Sequence, residues 1–117
     1  MDTEQAIKAH LAWKSALCRA LDSKSQVDAR FVGDDTACAL GRWLHGDAQH
    51  MFPQLDSYWD CVIAHSQLHR EAERIAHFIN EGNYVDAHAA LRPGTSFHDA
   101  SKRILIALKM FEHEGRL

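Results

Sequence analysis

The stretch Asp60–Ala76 reads DCVIAHSQLHREAERIA, and the spacing of its apolar residues decides the fold. At about 100° per residue, Cys61, Val62, Leu68, Ala72, Ile75 and Ala76 gather on one arc. The same arc extends outward to Leu55, Tyr58, Trp59 and Ile79, and no glycine or proline interrupts residues 54–81. Pro53 suits a first helical turn and Gly82 a stop, so the spacing predicts a long helix from about Pro53 to Asn80. His65 and His69 stand near the centre of its buried arc, one turn apart, where aliphatic side chains would be expected.

Helical patterns lie on both sides of this stretch. Asp2 or Thr3 can cap a first helix reaching about Leu21, with Asp2 and Gln5 spaced as a capping box. Its apolar arc holds Ala6, Ile7, Leu11, Trp13, Leu17, Cys18 and Leu21, with His10 near the middle and Lys14 also inside it. Residues 26–35 favour no single conformation. Asp34, Asp35 or Thr36 can then cap a short helix in the run CALGRWLHG, Cys38–Gly46, which Gly46 stops. After the long helix, Asn83 can cap a segment to Leu91. A last helix begins near Thr95 or Ser96 and carries Phe97, Ile104, Leu105, Leu108 and Phe111. Nothing alternates in the manner of a strand. The expected fold is all-α: an antiparallel bundle of four principal helices plus a short helix bearing Cys38, forming one domain over residues 1–117.

Composition narrows the function. The formal charge is −3 with no basic cluster, which disfavours nucleic acid as a partner. No apolar run approaches the roughly 20 residues of a bilayer span, and the acidic N-terminus lacks a signal-peptide layout, so a cytoplasmic location is expected. Three cysteines in such a chain suggest free thiols or metal ligands in preference to a disulfide framework. Nine histidines among 117 residues are an excess, and histidine is the commonest protein metal ligand.

His10, His65 and His69 therefore become candidate ligands. Each could instead be a core histidine bonded to a carbonyl or carboxylate, and spacing alone leaves both readings open. A metal would satisfy all three at once, with Cys38 as the natural fourth donor. Three imidazoles and a thiolate suit Zn²⁺, whereas soft sulfur argues against Mg²⁺ and Ca²⁺.

Trp13 three residues after His10, LGRWL after Cys38, and AHSQLH on the long helix together resemble the chemoreceptor zinc-binding (CZB) domain family. The resemblance runs over nearly the whole chain. It implies a four-helix bundle with a Cys-His₃ zinc site at His10, Cys38, His65 and His69. It also implies a cytoplasmic sensor of zinc or oxidants, often a homodimer, serving a chemoreceptor signalling region or a diguanylate cyclase. The 117 residues leave no room for either output domain, so the chain is expected to act alone through a partner or as part of a longer protein.

The remaining candidates are subordinate. Glu73 could back a ligand imidazole by accepting its other N–H, or be a solvated carboxylate. Trp13, Gly41 and Trp43 are expected to pack around the site, and Cys18 and Cys61 to serve as small apolar residues. His69 followed by Glu73 also admits a hemerythrin-like or ferritin-like di-iron bundle. That chemistry needs several carboxylates from different helices, and the first helix places Lys14, not an acid, four residues after His10. A purely structural zinc bundle mediating protein interaction is a further alternative. Four protein ligands leave no open position for catalysis, so an enzyme is not expected.

Overall fold

A computed structural model describes residues 1–117, and every regular element in it is helical. Three helices are long: α1 (Thr3–Ser23), α5 (Asp56–Asn80) and α7 (Ser96–Gly115). Four are short: α2 (Ala29–Gly33), α3 (Ala39–Leu44), α4 (Asp47–Met51) and α6 (Tyr84–Ala90). The anticipated caps hold at three starts. Asp2 Oδ1 accepts from the Gln5 N–H, Asn83 Oδ1 accepts from the Asp86 N–H, and α7 begins after Thr95. Gly82 takes φ +75° where α5 ends, a conformation that costs glycine little. The helix starts at Asp56, leaving Pro53 ahead of it and not in its first turn.

Side-chain contacts fix the directions of the long helices. Thr3 Oγ1 donates to Glu112 Oε2 at 2.7 Å, joining the start of α1 to the end of α7. Farther along, Leu11 and Lys14 share a cleft with Phe97 and His98, so the two helices run antiparallel. The start of α5, at Asp56 and Ser57, borders Met110 and Glu114 near the end of α7, while Gln67 meets Arg103. Hence α7 opposes both α1 and α5, and those two run the same way.

The chain between α1 and α5 must therefore travel back along the molecule, and it does so beside α5. Val27 N–H donates to Asn80 Oδ1 and Asn80 Nδ2 donates to the Val27 carbonyl, both at 2.7 Å. Next, Val32 reaches His69, Cys38 reaches His65, and the Leu44 carbonyl accepts from Tyr58 Oη at 2.5 Å. This return arm is a column broken into α2, α3 and α4, where four continuous helices were expected. The breaks have local causes. Asp28 caps α2; Asp34 Oδ1 folds back onto the N–H and hydroxyl of Thr36; and Cys38 Sγ accepts from the Gly41 N–H. Cys38 itself is thus the N-cap of α3, a role the sequence reading gave to Asp34, Asp35 or Thr36.

One core joins all columns. Leu17 and Leu21 of α1, Leu40 and Leu44 of α3, Leu68, Ile75 and Ile79 of α5, and Ile104, Leu108 and Phe111 of α7 are buried together. The apolar arcs are narrower than their spacing suggested: Leu11 and Trp59 are 49% and 43% exposed. Lys14 lies beside Leu11 on the outer side of α1, which removes the puzzle of a lysine inside the core. No helix is long and apolar enough to cross a membrane.

Candidate metal centre

His10, Cys38, His65 and His69 come together where the broken return arm crosses α1 and α5. His10 occupies the inner face of α1, and His65 and His69 occupy successive turns of α5; all three are buried. Cys38 is half-buried and enters from the start of α3. One donor atom from each residue lies within 4.8 Å of all the others. Cys38 Sγ is 3.7, 3.2 and 3.5 Å from Nε2 of His10, His65 and His69. His65 Nε2 is 3.2 Å from His10 Nε2 and 3.0 Å from His69 Nε2.

The outer hydrogen bonds determine what these atoms present to one another. His10 Nδ1 lies 2.7 Å from the Ala6 carbonyl, and His69 Nδ1 lies 2.8 Å from the Val32 carbonyl. A carbonyl only accepts, so each Nδ1 carries the proton and each Nε2 turns a bare lone pair inward. His65 Nδ1 is buried with no partner in the chain. Two lone pairs, a third imidazole and a sulfur are thus crowded together with too few protons to join them. A cation at their centre would accept all four.

Protonation does not relieve the crowding. Burial holds the His10 and His69 pKa values below that of a free imidazole, against the opposing pull of their carbonyl bonds. Burial, reinforced by neighbouring imidazoles, drives His65 down to about 2. Burial also raises the Cys38 thiol, partly offset by N–H groups at the start of α3. Near neutral pH the imidazoles are neutral, which is the form that binds metals.

Compared with protein families, the chain matches the family model described as the chemoreceptor zinc-binding domain over residues 10–76. The match covers more than half of the chain and includes all four converging residues. The chain belongs to the chemoreceptor zinc-binding domain family. Compared with curated proteins and with solved structures, it finds no match.

The donor set fits the ion that gives the chemoreceptor zinc-binding domain its description. Tetrahedral Zn²⁺ with bonds of about 2.0–2.1 Å to nitrogen and 2.3 Å to sulfur requires N···N edges near 3.3 Å and N···S edges near 3.6 Å. The observed separations, 3.0–3.2 Å and 3.2–3.7 Å, lie within a few tenths of an ångström of those edges.

Of the residues expected around the site, Trp13 packs against both His10 and His69, with ring centroids 5.1 and 4.5 Å away. Gly41 is a site of close approach: a Cβ there would collide with the Asp35 carbonyl oxygen and press on the His65 ring. Trp43 instead stacks on Phe111 at 5.5 Å, fastening α3 to α7. Glu73 does not support His69. Its carboxylate lies against Gly33 and 3.5 Å from His77 Nε2, and the Val32 carbonyl takes the place assigned to it. Main-chain carbonyls carry no sequence signature, so neither Val32 nor Ala6 could be singled out beforehand.

Proposed function

We propose that this chain is a regulatory zinc-binding module in which His10, His65 and His69, through Nε2, and Cys38, through Sγ, hold one Zn²⁺. The observation carrying this reading is the inward convergence of donors from three separate elements, two of them fixed as lone-pair donors by carbonyl bonds. When bound, the ion would supply charge to four donors that otherwise repel, and so join α1 and α5 to the return arm. Four protein donors leave no open position for a substrate, which favours regulation over catalysis. A cytoplasmic setting, with output to a chemoreceptor signalling region or a diguanylate cyclase, accords with family membership.

Two versions of the signal share this site. In one, occupancy follows zinc availability. In the other, the Cys38 thiolate attacks a hydroperoxide: the S–O bond forms as the O–O bond breaks, leaving a sulfenic acid and releasing hydroxide. A sulfenic acid is a poorer ligand than a thiolate, so α3 would lose its anchor.

Elemental analysis of the purified chain should find one zinc per chain. Absence of zinc would remove both versions, and two irons per chain would establish the di-iron carrier in their place. A Cys38→Ala variant that retains zinc but no longer responds to peroxide supports the redox version. Collapse of the fold on zinc removal supports a purely structural metal.

A further inference from the structure

The largest groove on the molecule runs between α5 and α7, away from the histidine cluster, with a volume of about 390 Å³. Ala64 and Ala107 form its floor, and Ile63, Ile106 and Met110 rise from its walls at 55%, 64% and 51% exposure. Trp59 stands one turn before Ile63 on the outer side of α5, extending the apolar area. So many large apolar side chains gathered on one face mark a surface that another protein covers.

The charges bordering the groove indicate which protein. Asp60 and Glu114 lie at one end and Arg103, beside Gln67, lies at the other. None of the three charged residues forms an ion pair within the chain. The Ser57 hydroxyl lines the acidic end, buried and without a hydrogen-bond partner. Arg103 and Glu114 are about 16 Å apart along α7, and Ile106 and Met110 lie between them. On α5, Ile63 lies in the same way between Asp60 and Gln67. A two-fold axis through this apolar middle would lay the Arg103 end of one copy over the acidic end of another.

We infer that the α5–α7 groove is a self-complementary interface that receives a second copy of this chain. At each end, Arg103 of one copy meets Asp60 and Glu114 of the other and gives the Ser57 hydroxyl a donor. An isologous contact repeats each pair twice, so a modest charge match counts double. This inference names the partner through which the proposed regulatory module would act, but it stands or falls independently of zinc binding.

Sedimentation equilibrium on the full chain tests it, with zinc content measured on the same samples. The wild-type chain should form a dimer. Arg103→Glu alone, and Asp60→Arg with Glu114→Arg in a second chain, should each weaken the dimer by at least about tenfold through facing like charges. Mixing the two variants should restore it, because both ends then carry opposite charges. Ile106→Asp should also give a monomer and does not depend on the charge pairs. The substituted side chains are exposed, so circular dichroism should report unchanged helix. A wild-type monomer, variants that stay dimeric, or a mixture that stays monomeric would each overturn the inference. Loss of zinc with the dimer intact would count against the proposed function alone.

Discussion

At the scale of single residues, the site depends on groups that complete it from outside. The Gly41 N–H reaches Cys38 Sγ at 3.3 Å, and the space where a Cβ would stand is filled by the Asp35 carbonyl. Gly41→Ala should displace both and lower zinc affinity about 10–100-fold, the usual effect of disturbing groups that orient a ligand. Competition with a chromophoric chelator reads that loss directly. The histidines set a pH dependence in the metal-free protein. All three have folded-state pKa values below 6.5, so below that pH the unfolded chain binds protons that the folded chain refuses. Stability should therefore fall as pH drops below 6.5, by up to about 1.4 kcal/mol per pH unit for each histidine. For His65 this continues towards about 2. Urea midpoints of metal-free protein on either side of pH 6.5 check the sign, and a midpoint that rises on acidification would refute it.

At the scale of elements, the return arm is the part most dependent on the centre. Helices α2, α3 and α4 have five, six and five residues, too short to persist alone, and are held by side chains of the long columns. Removing zinc should raise amide hydrogen exchange across residues 26–46 first, while the middle of α5 and of α7 stays protected. Asn80→Ala breaks both bonds to Val27 at the far end of the arm and should destabilise the protein by about 1–3 kcal/mol. Denaturant titration measures that change. Legibility in the sequence divides along the same line. The long helices announced themselves through periodicity and end signals such as Gly82, and the four converging residues through histidines placed where aliphatic side chains belong. The return arm did not, because its segments are too short to show a period and its breaks rest on tertiary partners. Helix α4 had no sequence signal, and Cys38 was legible as a donor but not as the cap of α3. Leu11 and Trp59 were misplaced because a helix arc shows only which side is apolar. It does not show how far the neighbouring helices wrap around that side.

At the scale of the whole molecule, three continuous columns and one broken column meet at a point where neutral donors face inward. A continuous fourth helix would present its Cys38 side chain with no special freedom. The broken column instead delivers the thiol from a helix start, with Trp43 on Phe111 and Tyr58 on the Leu44 carbonyl holding the next turn in place. Leu44, fully buried at that junction, should cost about 2–5 kcal/mol when cut to alanine, read as a fall in the denaturation midpoint. The same change should weaken zinc binding, because it loosens the element that carries Cys38. The arrangement is thus a rigid frame of α1, α5 and α7 with a segmented arm fastened across it at one centre. X-ray absorption at the zinc edge of the purified full chain tests this account most directly. The account predicts one zinc per chain, bound by one sulfur at about 2.3 Å and three nitrogens at about 2.0–2.1 Å. A chain that takes up no zinc, or a zinc shell without sulfur, would contradict it.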